Sequence, residues 1–286
     1  MLSTHKGIDG ENVMKHFYLH SNQSRDAGYL LRTQVERCLT EKGGICYCSD
    51  VYDRPPADTE CVVVLGGDGT MLRTVRRFTD LNVKFIGINT GHIGYLAAGG
   101  IGSIPQIAES LLNDNYVTEK RMEIYARVLR ADRSVARHRS LNEIVIGRSY
   151  SGKIVALNVF LNGQMLTSYR CDGLIISTPT GSTAYSFSAG GPIVEPTARL
   201  FVVTPIASHS LNNRSLILSP EDKLTVEIVG KPGSSHNDYQ VSFDGDKKVP
   251  LQPGDRVEVA EANCSITLIK LKERSFVETL RSKITI

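Results

Sequence analysis

The stretch Cys61-Val62-Val63-Val64-Leu65-Gly66-Gly67-Asp68-Gly69-Thr70 decides how the chain is read. Strand-forming residues from Cys61 to Val64 run straight into glycines wrapped around a single carboxylate, Asp68. Behind them Met71, Leu72, Val75 and Phe78 recur at helical spacing among Arg73, Arg76 and Arg77. This pattern spells a strand, a tight glycine turn and a helix N-terminus. Glycine is needed where backbone takes a positive φ or comes within contact distance of a ligand. A helix N-terminus adds unpaired N–H donors and a positive dipole end, which suits phosphate. An acid in such an anion-friendly turn is costly unless it handles a proton or a metal. The plainer alternative is that Asp68 caps the helix.

The rest of the chain supplies the frame. With 286 residues, 41% hydrophobic and 22% charged, it suits one large or two medium soluble globular domains. A net charge of +3 is too small to argue for nucleic acid or a membrane surface. Arg73, Arg76 and Arg77 read as a solvated helix face, or one of them as a phosphate neutraliser. The six cysteines show no Cys-x-x-Cys pair, which points to reduced, buried thiols in a cytoplasmic protein and not to a zinc site. The polar segment Met1–Glu11 does not read as a signal peptide, and no apolar run approaches the length of a membrane span.

Taken in order, strands are expected over 13–20, 44–48, 61–65 and 83–89, and helices over 24–40 and 103–113. The continuous apolar runs at 61–65 and 83–89 are those of strands covered on two faces. Alternating strands and helices predict an open, mostly parallel α/β sheet with ligands beyond the carboxyl ends of its strands. Asp68 ends the third strand, and Asn89-Thr90-Gly91-His92-Ile93-Gly94-Tyr95 ends the fourth. After Asn115 the texture changes to short alternating strands, the mark of an all-β domain. These are expected over 117–129, 137–148, 153–161, 164–170, 174–177, 216–218, 223–229, 240–243, 256–260 and 265–271. Asn162-Gly163 and Ser151-Gly152 read as hairpin turns. Ser275-Phe276-Val277-Glu278 is a capping box that opens a final helix, expected to return to the first domain.

Three further motifs bear on chemistry. Gly147 to Lys153 nearly spells a Walker A loop, but Ile154 stands where Ser or Thr should hold magnesium, and a strand follows. We reject it. Asn142-Glu143 places an amide and an acid at the head of an apolar strand, either to hydrogen-bond ribose hydroxyls or simply to start the strand. Finally, Asp172 and the run Ser177-Thr178-Pro179-Thr180-Gly181-Ser182-Thr183-Ala184-Tyr185-Ser186-Phe187-Ser188 form a dense turn of small hydroxyl residues, followed by a short helix and Gly190-Gly191-Pro192. Small residues there let backbone approach a flat ligand, and Tyr185 offers a ring face for stacking.

With Gly66–Thr70, Asn142-Glu143 and Ser177–Pro192 in view, the chain resembles the ATP/polyphosphate-dependent NAD kinase family from about Val13 to Leu280. The Gly-Gly-Asp-Gly turn is shared with diacylglycerol and sphingosine kinases. The Thr178–Tyr185 run is far more specific. The resemblance implies an α/β nucleotide-binding domain over 1–117, an all-β domain carrying the NAD-binding loop over 118–271, and a C-terminal helix over 272–286 packed on the first domain. It implies transfer of the γ-phosphoryl group of ATP, or of polyphosphate, to the 2′-hydroxyl of NAD's adenosine ribose. Asp68 would be the catalytic base, and Gly66, Gly67, Gly69 and Thr70 would face the donor phosphates. Asp68, Gly69, Tyr95, Asn142, Glu143, Asp172, Thr183, Ala184, Tyr185, Ser188 and Ala207 would contact NAD. No protein residue is assigned to a metal; Mg²⁺ or another divalent cation would come with the donor. A homodimer or homotetramer is implied. Tyr95 replaces a common Phe, and Ser208 and Ser215 replace common prolines, so His209 and Arg214 receive no role. Asp244-Gly245 matches a family turn and reads as structural. Two alternatives stand beside this reading, a lipid kinase and a non-catalytic dinucleotide sensor.

Overall fold

Strands whose two faces are both covered need mostly apolar residues, and residues 61–65 and 85–88 meet that demand. The computed structural model describes residues 14–91, 94–149, 154–208, 214–229, 238–271 and 276–284. Strands β1 (His16–Ser21), β2 (Ile45–Cys48), β3 (Cys61–Leu65) and β4 (Lys84–Asn89) pair in parallel in the order β2-β1-β3-β4. All five residues of β3 are buried, as are five of the six in β4. Successive side chains take opposite faces. Phe17, Leu19, Val63 and Leu65 pack into one cluster with Val35 and Leu39 of α1 (Leu30–Thr40) and with Ile107 and Leu111, which lie on a later helix at Ile104–Leu112. On the alternate positions Tyr18 meets Phe78 of α2 (Asp68–Phe78) edge to face, with ring centroids 5.6 Å apart. A short strand β5 (Ala97–Gly100) continues along β4, and α3 (Ile104–Leu112) follows it.

The chain divides into two units, residues 1–120 with 266–286, and residues 121–265. The second unit is antiparallel. A hairpin of β6 (Val117–Arg130) and β7 (Arg133–Ser140) turns on Ala131 and Asp132, both at positive φ. Then come β8 (Glu143–Arg148), β9 (Val155–Leu161) and β10 (Gln164–Cys171), the last two joined by Asn162-Gly163 at φ of 51° and 81°. β11 (Gly173–Ser177), the single-turn α4 (Tyr185–Ser188), β12 (Phe201–Ile206), β13 (Leu216–Leu218), β14 (Leu224–Val229), β15 (Tyr239–Phe243), β16 (Lys247–Leu251) and β17 (Arg256–Lys270) complete the unit's elements. One sheet runs β13-β12-β11-β8-β15-β16, while β10, β9, β14 and β17 pair in a second. Ile144, Ile146, Leu174 and Val203 of the first sheet share a core with Leu157, Val159, Val226 and Val257 of the second. The end of β17 pairs in parallel with β4 through Thr267 and Leu268, and α5 (Phe276–Ile284) follows.

Several elements differ from the sequence expectation, each for a local reason. The first helix starts at Leu30 and not at Ser24, because Gly28 and Tyr29 adopt left-handed φ and the Asp26 carboxylate caps the backbone N–H groups of Leu31 and Arg32. The run 137–148 is two strands, broken at Leu141-Asn142, where the Asp244 carboxylate takes the backbone donors. The runs 256–260 and 265–271 are one strand. β5, β12 and β16 were not anticipated. β12 carries Pro205, which argues against a strand interior. Its partner β13 reaches only Phe201 to Val203, so the missing N–H falls where no ladder bond is required from that side. Val13, the Ser151-Gly152 turn, His209 and the capping residue Ser275 lie outside the described residues. Among those described, no helix is long and apolar enough to cross a membrane.

Candidate active site

In the first unit, β3 delivers the glycine turn and α2 begins at Asp68, with Gly67 in extended backbone as its N-cap. Thr70 and Met71 donate their N–H groups back to the Gly67 carbonyl at 2.9 and 3.1 Å. Gly66 and Thr70 are buried, whereas Gly67 and Gly69 are exposed. Gly66 is small because Thr70 folds back over it; a Cβ at Gly66 would meet the Thr70 side chain at 2.6 to 2.9 Å. The Thr70 hydroxyl is in turn held by Asn22 Nδ2 at 3.3 Å and Arg73 Nη2 at 3.4 Å.

Asp68 is half-buried, and its carboxylate does not cap its own helix. It reaches to the segment beyond β4, where Oδ2 accepts the Tyr95 N–H at 2.9 Å and Oδ1 the Leu96 N–H at 3.2 Å. Gly94 leaves room for it, since a Cβ there would overlap both carboxylate oxygens. The sequence places Asp68 and Tyr95 at neighbouring strand ends, and the structure joins them directly. Burial first, and then the nearby Asp68 charge, push the Tyr95 phenol up from its ordinary value.

The second unit holds the remaining candidates, and three of them, Glu143, Asp172 and Tyr185, share one cavity. At the head of β8, the Asp244 carboxylate accepts three consecutive N–H groups, from Leu141 at 3.0 Å, Asn142 at 2.8 Å and Glu143 at 3.1 Å. Beside that clasp, Asn142 Oδ1 and Glu143 Oε2 are buried atoms with no hydrogen-bond partner among the described residues. Burial, reinforced by the Asp244 charge, pushes the Glu143 carboxyl up to about 8. A buried polar group without a partner is costly, so such a pair marks a place for a polar ligand. Glu143, Asp172 and Tyr185 line one cavity of about 340 Å³. Arg148 and Lys248 line it as well, and Arg148 Nη2 pairs with Asp172 Oδ2 at 2.7 Å.

The hydroxyl-rich turn divides its residues by direction. Thr178 Oγ1 donates to the Leu141 carbonyl at 2.5 Å and Ser182 Oγ to that of Pro179 at 2.7 Å, while Ser186 and Thr204 bond at 3.2 Å. These are buried structural groups. Thr183 and Ala184 are half-buried, and Tyr185 and Ser188 are exposed. Gly181 serves packing, because a Cβ there would strike the Asn142 backbone. Ala207 follows β12, exposed and at a φ of 44°, which is unusual for a residue with a side chain. Arg214 is exposed.

Sequence reasoning missed what Gly94 makes room for, missed Arg148, and gave Asp244 no part in shaping the site. Asp244 stands 101 to 103 residues from the groups it holds, and that separation conceals the pairing.

Comparison with known proteins finds matches over most of the chain. Residues 25–116 match the ATP-NAD kinase N-terminal domain and residues 141–271 the ATP-NAD kinase C-terminal domain. The NAD kinase of Lachnospira eligens is 36% identical over 94% of this chain and 100% of its own length. That of Agathobacter rectalis is also 36% identical, over 94% of this chain and 98% of its own. Among solved structures, yeast NADH kinase complexed with NADH matches with a TM-score of 0.83 at 23% identity, covering 96% of this chain and 89% of that one. An NAD kinase from Archaeoglobus fulgidus in complex with ATP matches with a TM-score of 0.74 at 24% identity, covering 93% and 99%. These two share the fold. Two domain matches in tandem order, together with relatives 36% identical over 94% of the chain, show that it belongs to the NAD kinase family.

Proposed function

We propose that the chain transfers the γ-phosphoryl group of ATP, or a terminal phosphoryl group of polyphosphate, to the 2′-hydroxyl of the adenosine ribose of NAD, giving NADP. The observation that carries this reading is the Asp68 carboxylate, held by two peptide N–H groups at the start of α2. A ribose hydroxyl is a poor nucleophile until its proton is taken as the new bond forms. Asp68 accepts that proton while the oxygen bonds to phosphorus and the bond to the ADP oxygen breaks; such general-base help contributes roughly 10²–10⁴ in rate. The exposed peptides of Gly67 and Gly69 face the donor phosphates, and Gly66 and Thr70 shape the turn.

Mg²⁺ or another divalent cation neutralises charge on the donor's phosphate oxygens when bound. The half-buried Asp68 carboxylate at the glycine turn offers hard oxygen atoms, the donor type that suits a cation carried by phosphate and water. Each Asp68 oxygen also keeps a lone pair beyond its peptide bond, free to meet a proton.

Asn142, Glu143, Asp172, Thr183, Ala184, Tyr185, Ser188 and Ala207 contact the dinucleotide in the second unit. The orphaned buried oxygens of Asn142 and Glu143 support a partner rich in hydroxyls. The α/β domain over 1–117, the all-β domain over 118–271 and the returning helix over 272–286 are the arrangement we infer. A homodimer or homotetramer is supported by Met165 and Leu166, apolar and exposed on the edge strand β10. A cytoplasmic location is supported by six free thiols. Incubation of the protein with NAD and either ATP or polyphosphate, followed by phosphorus NMR of the product, tests the reading. A 2′-phosphomonoester is the expected product, and its absence with both donors overturns it.

A further inference from the structure

Two strands share one edge of β4. β17 pairs with its first residues, Thr267 with Lys84 and Leu268 with Phe85, and β5 takes over from Gly87 and Ala97 onward. Lys270, the last residue of β17, stands at the seam between them. It is 8% exposed, and its Nζ donates to the Tyr95 carbonyl at 3.0 Å and the Ala97 carbonyl at 3.1 Å. Its neighbours Leu268, Ile269 and Leu271 are buried and apolar. Lysine is almost never buried without compensation, and withdrawing an ammonium from water costs several kcal/mol, so packing alone does not account for it.

Part of the compensation comes through the two carbonyls, and one of them belongs to a peptide group that also meets Asp68. The Tyr95–Leu96 peptide turns its carbonyl to Lys270 and its N–H to Asp68 Oδ1. A rigid planar unit therefore sits between an ammonium and a carboxylate, its dipole aligned with both. Hydrogen bonds in such a chain polarise and strengthen one another. The adjacent Tyr95 N–H, on Asp68 Oδ2, belongs to the same held segment.

We propose that Lys270 is a positioning residue for phosphoryl transfer: by fixing the carbonyls of Tyr95 and Ala97 it sets the two N–H groups that hold the Asp68 carboxylate in its reacting orientation. This rests on the assignment of Asp68 as the base. Misplacing a reacting group by about 1 Å can cost on the order of 10² in rate, so the effect belongs in kcat.

A double-mutant cycle with Asp68 tests it in the full-length protein. Lys270→Met is expected to lower kcat by roughly tenfold or more while leaving the KM for ATP within about twofold. In an Asp68→Asn background the same substitution should lower the residual kcat by less than about twofold, because the group it orients no longer takes the proton. Thermal melting confirms that each variant is folded. If Lys270→Met does not fold, Lys270→Gln, which keeps a neutral donor, is carried through the same cycle. Equal fold-losses in the two backgrounds, or an unchanged kcat, overturn the proposal. An Asp68→Asn enzyme with the wild-type rate overturns the base assignment instead, and this proposal with it.

Discussion

The carboxylate of Asp68 lies against the α-carbon of Gly94, in space that a side chain would occupy. The glycine serves this close approach. Gly94→Ala must move either Asp68 or the segment that binds it. We predict a fall in kcat of about tenfold or more with a folded protein, since positioning losses of this kind reach on the order of 10². Gly102→Ala, where a Cβ meets nothing within 4 Å, is the control and should match wild type in rate and melting temperature. Steady-state NADP formation by both variants checks the pair.

Asp244 bears on the proposed dinucleotide contacts at one remove. Its carboxylate satisfies three backbone donors that set the head of β8. Asp244→Ala strands them, and charged acceptors of this kind are worth about 1.5–3 kcal/mol each, less where water reaches the freed groups. A loss of stability of roughly 2–4 kcal/mol is expected. A rise in the KM for NAD should accompany it, because Asn142 and Glu143 lose their fixed backbone. Urea unfolding and NAD titration of the rate measure the two effects.

Glu143 predicts a pH signature. Its carboxyl is raised from an ordinary 4.5 to about 8, chiefly by burial and further by Asp244. Between those values the unfolded chain has lost the proton and the folded chain keeps it, so folding stability falls as pH rises through that window. The decline flattens above about 8, where both states are ionised. Glu143→Gln removes the titration, and its melting temperature should fall less than that of wild type between pH 5 and about 8. Parallel slopes would remove the buried acid from the account.

Tyr185 separates binding from stability. The side chain is 45% exposed, so Tyr185→Ala should leave the melting temperature within about 1–2 °C. Stacking of a base on an aromatic ring is worth roughly 1–3 kcal/mol, so the dissociation constant for NAD should rise by about fivefold or more. Calorimetric titration with NAD reads the change directly.

Much of this was legible because local physics wrote it. Cys61 to Leu65 could only be a covered strand, and Asn162-Gly163 could only turn a hairpin, so both stand where the pattern puts them. The glycines were recognised as special, yet their uses differed. Gly66 admits Thr70, Gly94 admits Asp68 and Gly181 admits the Asn142 backbone. Sequence shows that a side chain is unwelcome but not whether a ligand or a neighbouring residue takes the space. The hydroxyl-rich turn shows the same ambiguity, since Thr178, Ser182 and Ser186 hold the chain while Tyr185 and Ser188 face outward. Long-range polar partners left no trace. Lys270 ends an apolar strand 175 residues from the carbonyl of Tyr95, and nothing in either neighbourhood announces the other.

The most direct test is single-turnover phosphoryl transfer to NAD by Asp68→Asn, with NAD affinity measured on the same preparation. The amide keeps the shape of the carboxylate but cannot take the ribose proton. The account predicts binding within about threefold of wild type and NADP formation slowed by at least about 10²-fold. Transfer at close to the wild-type rate would contradict it.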